Sequence, residues 1–131
     1  MTYTFADFAK GSQYAVGEVH KLDDNVTVTT NQCHFTTQLR VYQDATYDGN
    51  AVFACSKVIT GMTINAGYRA SALEVYGSKD GETWTLVETL DVAATNADFS
   101  VEMPAGSAYK YVKLDAVNAQ VRIPTITFNF A

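Results

Sequence analysis

Apolar and polar residues alternate along most of the chain, in short runs separated by turn residues. A period of two is typical of strands with one buried and one exposed face. The runs recur roughly every 8–12 residues, which favours an antiparallel sandwich or barrel over alternating strands and helices. The predicted strands are Thr2–Phe5, Tyr14–His20, Asn25–Thr30, Cys33–Tyr42, Ala51–Ser56, Val58–Ile64, Ala72–Gly77, Thr83–Leu90, Asp98–Met103, Tyr109–Ala116 and Gln120–Phe130.

The length of 131 residues suits one domain and is short for two. We therefore expect residues 1–131 to form a single all-β domain, a two-sheet antiparallel β-sandwich of about 8–11 strands. The best helix candidate, Phe5–Lys10, is too short to pack by itself.

One hairpin can be predicted from its turn. Leu73–Gly77 and Thr83–Val87 are alternating runs on either side of Asp80-Gly81. Asp-Gly readily adopts the positive backbone angles of a tight turn, so these runs should pair.

A second hairpin is predicted from the alternation in Cys33–Tyr42 and Ala51–Cys55. A turn near Asp44 would place Phe35 opposite Phe53 and Cys33 opposite Cys55, with both cysteines facing the core. Two interpretations stay open: a pair of buried thiols, or a disulfide, which would imply an oxidising compartment.

The last predicted strand changes phase. Val121 and Ile123 share one parity, whereas Ile126 and Phe128 share the other, and Pro124 lies between them. A bulge or a change of sheet at the proline would reconcile the two halves.

Charge and hydropathy exclude several functions. The net charge is −5, and no run of Lys or Arg offsets it, which argues against nucleic-acid binding. No apolar run is long enough for membrane insertion. The first residues also lack the basic and apolar regions of a signal peptide.

The sequence offers little for catalysis, so we expect no enzymatic activity. His20 and His34 are isolated, and His34 should point away from Cys33 because adjacent strand residues face opposite ways. Asp23-Asp24 fits a solvated turn better than a carboxylate pair. We expect no cofactor; a structural Ca²⁺ at Asp44, Asp48 or Asp80 is the weaker alternative to turn chemistry.

The chain from Val58 onward resembles discoidin-like, galactose-binding-like jelly-roll domains. The resemblance rests on Ile59–Ile64, on Leu73–Val87 with its motif S-x-D-G-x-x-W, on Tyr109–Asp115 and on Ile126–Phe128. Tyr3–Phe8, Gly17-Glu18 and Phe35–Val41 are similar to modules of secreted polysaccharide-degrading enzymes. The family implies a jelly-roll sandwich that binds sugars or lipid headgroups. The chain lacks the terminal cysteine pair and the exposed tryptophan pair of vertebrate discoidin domains, which argues against headgroup binding.

Two clusters carry the side chains that sugars require, namely aromatic faces for the ring and forked donors for hydroxyl groups. The first lies on the outer face of Cys33–Tyr42 and in the loop after it; the second is the glycine-containing segment Asn65–Arg69, predicted as a loop. The candidate ligand-binding residues are His34, Gln38, Arg40, Tyr42, Asp44, Tyr47, Tyr68 and Arg69. The single tryptophan, Trp84, is expected in the core together with Phe35, Phe53, Phe99, Phe128 and Phe130.

These features predict a non-catalytic carbohydrate-binding module whose partner is a polysaccharide or glycoconjugate, located outside the cell or on its surface. A parent enzyme chain or self-association are further expected partners. The alternative is a structural or adhesion module, such as a virion decoration protein or surface-fibre subunit, assembling through strand contacts by Thr125–Ala131.

Overall fold

The computed structural model describes residues 1–5, 16–69 and 71–131. Within these ranges the chain forms twelve strands and no helix. The strands are β1 (Thr2–Thr4), β2 (Val16–Lys21), β3 (Val26–Asn31), β4 (Cys33–Phe35), β5 (Leu39–Val41), β6 (Asn50–Cys55), β7 (Ile59–Tyr68), β8 (Ser71–Ser78), β9 (Thr85–Val92), β10 (Ala97–Glu102), β11 (Tyr111–Val117) and β12 (Val121–Phe130). The described residues contain no helix long and apolar enough to span a membrane.

The strands form two antiparallel sheets, which confirms the predicted β-sandwich. Sheet A has the order β10-β7-β12-β5-β4, with β1 also paired to β12. Sheet B has the order β2-β3-β6-β11-β8-β9. Both Ala6–Lys10 of the helix candidate and Tyr14-Ala15 of the second predicted strand lie outside the described residues.

The core lies between the sheets, where the alternating patterns direct their apolar side chains. In β11 the inward residues Val112, Leu114 and Ala116 are buried, whereas the residues between them are half-exposed. Phe53 of sheet B meets Phe128 of sheet A with ring centroids 5.5 Å apart, so aromatic contact joins the two sheets.

The hairpin predicted at Asp80-Gly81 is confirmed. Strands β8 and β9 pair from Gly77 opposite Thr85 onward. Asp80 Oδ1 accepts the backbone N–H groups of Glu82 and Thr83, and Gly81 has φ +78°. The turn therefore forms through the carboxylate and glycine chemistry expected of it.

The phase change in the last strand is also confirmed as a bulge. The register of β12 against β7 shifts between Arg122 and Thr125, on either side of Pro124. The shift keeps Val121 and Ile123 buried on one side of the proline and Ile126 and Phe128 buried on the other.

The predicted single strand Cys33–Tyr42 is wrong. The chain reverses after β4, where Thr36 N–H donates to the Gln38 carbonyl, and β5 pairs back onto β4. A short polar turn, Thr36-Thr37-Gln38, continued the alternation and so concealed the reversal.

The predicted cysteine pairing fails for the same reason. Cys33 lies opposite Val41 in sheet A, and Cys55 lies opposite Val26 in sheet B. Both thiols are free and buried, and burial raises the pKa of each to about 12. The side chains therefore act as small apolar groups of the core.

Two further predictions are corrected. Asn65–Tyr68, expected to be a loop, is the end of β7, because β10 and β12 pair with it from both sides. Strand β12, expected to offer an edge to a neighbouring subunit, lies between β7 on one side and β1 and β5 on the other. From Thr125 to Phe128 its backbone groups are therefore used within the sheet on both sides.

The aromatic residues divide largely as expected. Phe35, Phe53 and Phe128 are buried, and Phe99 and Phe130 pack partly buried against the core. Trp84 is the exception: it is half-buried beside the ammonium group of Lys113, which lies 4.9 Å from its ring. The residue precedes β9 on the outer side of sheet B, so the core prediction is wrong.

Candidate ligand-binding site

The two predicted clusters meet at one end of sheet A, because β12 pairs with both strands that carry them. On one side Arg122 lies opposite Arg40 of β5. On the other side Arg122 lies opposite Gly67, and Val121 opposite Tyr68, both of β7. Segments separated by some 25 residues of sequence thus become neighbours.

Together they line a cleft of about 280 Å³, which we call the arginine–tyrosine cleft. This volume is close to the lower end of the range for small-molecule sites, about 300–1,000 Å³. The lining residues are Arg40, Tyr42, Gln43, Asp44, Tyr68, Arg69, Gln120 and Arg122.

Two guanidinium groups lie against the ring of Tyr68. Cζ of Arg122 is 3.5 Å from the ring centroid, and Cζ of Arg69 is 5.2 Å from it. Arg122 Nε also donates to Gln120 Oε1 at 3.1 Å. The ring face under Arg122 is covered, so Tyr68 supports the guanidinium, and Tyr42 is the better candidate platform for a flat ligand.

The backbone of Tyr68 is unusual. Its φ is +108°, a value rarely adopted by a bulky side chain. Its N–H donates to the carbonyl of Ala94 at 3.3 Å, which ties it to the loop between β9 and β10. Strained backbone of this kind concentrates at binding and catalytic sites.

The electrostatics of the cleft follow from its arginines. The pKa of Tyr68 is lowered by a hydrogen bond from Arg69 and by the charges of Arg69, Arg122 and Arg40. The pKa of His34 is lowered by burial and then by the charge of Arg40, its cross-strand partner. The cleft therefore favours negative charge.

The loop that carries Tyr42 and Asp44 is held by its own hydrogen bonds. Asp44 Oδ1 accepts the N–H groups of Thr46 and Tyr47, at 2.7 and 2.8 Å, and these bonds lower the pKa of Asp44. Gly49 N–H donates to the Tyr42 carbonyl at 2.6 Å. The turn predicted near Asp44 therefore exists, although the pairing drawn from it was wrong.

Five of the eight predicted residues line the cleft, namely Arg40, Tyr42, Asp44, Tyr68 and Arg69. The other three are near but outside the lining. His34 pairs with Arg40, Gln38 lies in the β4–β5 turn, and the ring of Tyr47 is 6.2 Å from that of Tyr42.

Sequence reasoning missed Gln43, Gln120 and Arg122. A signal existed for Arg122, since it lies between the inward residues Val121 and Ile123 and must point outward. The pairing of Arg122 with Arg40 could not be predicted in this way. Alternation along a strand indicates which face each side chain is on, but not which strand lies beside it.

Three of the candidate metal and catalytic residues accept backbone hydrogen bonds within their own turns. Asp44 and Asp80 bind backbone N–H groups of their own turns. Asp23 likewise accepts from Asn25 and Val26, and its Oδ2 accepts from Tyr3. The described residues contain no group of three His, Cys, Asp or Glu side chains placed to hold a metal ion.

A second aromatic surface lies on the outer face of sheet B. Nζ of Lys113 is 4.8 Å from the centroid of Tyr76 and 4.9 Å from that of Trp84. All three side chains are half-buried. This surface, the Lys113 patch, offers one cation against the three of the cleft.

Comparison with known proteins shows the fold. No family model matches the chain, and no curated protein matches its sequence. CBM29_1, a family 29 carbohydrate-binding module from Piromyces equi, superposes with TM-score 0.66 at 10% identity, over 88% of each chain. CpGH89CBM32-6 produced by Clostridium perfringens gives TM-score 0.62 at 16% identity, over 87% of this chain and 100% of that one.

The K2 cleaved adhesin domain of Lys-gingipain gives TM-score 0.65 at 13% identity, over 100% of this chain and 98% of that one. At such identities the similarity establishes architecture alone. The predicted resemblance is thereby confirmed at the level of the fold, a β-sandwich that this chain shares with carbohydrate-binding modules and an adhesin domain.

Proposed function

We propose that this protein is a non-catalytic carbohydrate-binding module that holds its glycan in the arginine–tyrosine cleft. The observation that carries the proposal is the meeting of Tyr42, Arg40 and Arg69 in one cleft, on a fold shared with carbohydrate-binding modules. Tyr42 offers a ring face, and guanidinium groups can bind paired hydroxyls through two donors. Such a module would act outside the cell, attached to a parent enzyme or as part of an adhesin.

The choice of cleft is supported by its shape and its mixed lining. Glycan sites need a concavity, an aromatic surface and several hydrogen-bonding side chains, and the cleft has all three. The Lys113 patch has aromatic area, but its two rings flank one ammonium group. It is therefore the competing location that an experiment must separate.

Affinity gel electrophoresis and a glycan array, read with the parent protein and three variants, test the proposal. We expect Tyr42→Ala and Arg69→Gln to weaken binding about tenfold, because each removes an aromatic or charge-assisted contact. Tyr76→Ala is the matched control, since it removes a half-buried tyrosine from the other sheet. Loss of binding in Tyr76→Ala alone would assign the site to the Lys113 patch, and absence of all glycan binding would overturn the proposed function.

A further inference from the structure

Three arginines converge in the arginine–tyrosine cleft, on separate parts of sheet A. Arg40 on β5 and Arg122 on β12 are direct cross-strand partners, and Arg69 follows the end of β7. Like charges placed directly opposite one another destabilise a sheet. The arrangement therefore works against folding, which indicates that the arginines serve another purpose.

No carboxylate forms an ion pair with these arginines within the part of the chain that the structure describes. The salt-bridge contacts found there include Lys21 with Asp24 and the His20 imidazole with Glu18. Asp44 lines the cleft, but its Oδ1 is occupied by two backbone N–H groups. Three arginines thus outnumber the single carboxylate that lines the cleft, in a protein whose net charge is −5.

Two of the three arginines, Arg40 and Arg122, are also held in place. Arg40 Nε donates to Thr36 Oγ1 at 3.1 Å, and Arg122 Nε donates to Gln120 Oε1 at the same distance. The ring of Tyr68 also packs against Arg122, whose Cζ lies 3.5 Å from the ring centroid. An arginine fixed through Nε keeps its two terminal nitrogen groups as donors, and a fixed guanidinium loses little entropy when it binds.

We propose that the ligand of the cleft is an anionic glycan, whose carboxylate or sulfate group binds among Arg40, Arg69 and Arg122 while the sugar ring contacts Tyr42. The inference rests on the proposed function and narrows its ligand class. Planar guanidinium groups match carboxylate and sulfate oxygens through paired hydrogen bonds. The overall negative charge disfavours unspecific attraction of polyanions, so binding must depend on the local cluster.

Isothermal titration with two matched pairs of polysaccharides tests the inference. The first pair is polygalacturonate and its fully methyl-esterified form, which differ in the carboxylate charge. The second pair is a carrageenan and its desulfated form, which differ in the sulfate. In one of the pairs, we expect the charged polysaccharide to bind at least about tenfold more tightly than its neutral form. Binding of that charged form should weaken severalfold when the NaCl concentration rises from about 50 mM to about 300 mM.

Charge-removing variants identify the residues. Arg40→Gln and Arg122→Gln should each weaken binding of the charged form about tenfold, and Arg122→Lys should recover only part of the loss. Lys113→Gln is the control, because it removes one positive charge from the outer face of the other sheet. Thermal unfolding should show Arg40→Gln and Arg122→Gln at least as stable as the parent, since each removes a like-charged pair.

Three results would overturn the inference. They are failure of both charged polysaccharides to bind, equal binding of charged and neutral forms without salt dependence, and competition by free sulfate or acetate as effective as the polysaccharide itself. If the charged and neutral forms bind equally and Tyr42→Ala weakens the binding of both, the inference fails but the proposed function stands. Absence of binding to these and to every glycan on the array would reject both.

Discussion

Gly67 occupies the point where the β9–β10 loop crosses the end of β7. A Cβ at this position would lie 2.8 Å from both N and Cα of Asn96, and closer still to its Oδ1. Backbone atoms cannot move aside as a flexible side chain can. In the same loop, the carbonyl of Ala94 accepts a hydrogen bond from the N–H of Tyr68. Because residue 67 has no side chain, the loop can come close enough to make this bond.

We expect Gly67→Ala to lower the free energy of unfolding by about 1–3 kcal/mol, the usual effect of overpacking. It should also weaken glycan binding, because displacement of Asn96 disturbs the support of Tyr68. Gly61→Ala is the comparison variant on the same strand. Its Cβ would be 3.1 Å from the Val101 carbonyl oxygen, a less close approach than at Gly67, so we expect a smaller loss of stability. Urea unfolding measures both variants, and equal stability of the two would contradict the close approach at Gly67.

The pairing of β11 with β8 shows how register creates an electrostatic conflict between elements. Asp115 lies directly opposite Glu74 on the outer face of sheet B. The pKa of Asp115 is raised by burial and then by the charges of Asp48 and Glu74, while Lys113 partly opposes the rise. Ionisation of Asp115 therefore opposes folding.

Asp115→Asn should stabilise the protein at pH 7, by about 0.2–1 kcal/mol for the like-charged pair that it removes. A carboxyl whose pKa is raised on folding destabilises the fold once the pH has risen through the folded value, and has no such effect below the unfolded value of 3.8. The difference between variant and parent in thermal unfolding should thus disappear near pH 3.

Asp91→Asn provides the control for this prediction. Asp91 is an exposed carboxylate on β9 of the same sheet, and its cross-strand partner is the uncharged Ala72. The substitution changes the net charge equally but removes no like-charged pair. A stabilisation as large as that of Asp115→Asn would show that net charge, and not register, is responsible.

Elements also show what could be predicted from the sequence. The β8–β9 hairpin and the β12 bulge were predicted because Asp80-Gly81 and Pro124 act through local backbone chemistry. The β4–β5 hairpin was missed because its turn, Thr36-Thr37-Gln38, carries none of the residues that mark turns and preserves the alternation. In the cleft, parity predicted which side chains face outward, but the pairing of β5 with β12 depends on long-range contacts that no local pattern encodes.

At the scale of the whole molecule, aromatic contacts across the core hold the two sheets together. Phe128 of β12 is fully buried, and its ring touches Phe53 of β6, Tyr3 of β1 and Phe130. Strand β12 also carries Arg122 of the cleft. The core and the candidate site therefore share an element, and loosening of one should reach the other.

We expect Phe128→Ala to lower the free energy of unfolding by about 3–5 kcal/mol, through lost burial and the cavity left behind. Domains of this size commonly have an unfolding free energy of about 5–15 kcal/mol, so this loss is a large fraction of the total and should shift the unfolding transition to clearly lower urea concentration. Phe130→Ala, which truncates the half-buried ring stacked on Phe128, should have a clearly smaller effect. Urea unfolding with linear extrapolation measures both.

The milder variants Phe53→Leu and Phe128→Leu isolate the contact between the sheets. Since the two rings touch, the double variant should lose an amount of unfolding free energy that differs from the sum of the two single losses by about 0.5–3 kcal/mol. Phe53→Leu combined with Val19→Ala is the control, because Val19 is 63% exposed on the edge strand β2. That pair should be additive. Additivity of the Phe53 and Phe128 changes would contradict an energetic coupling of the two sheets through this contact.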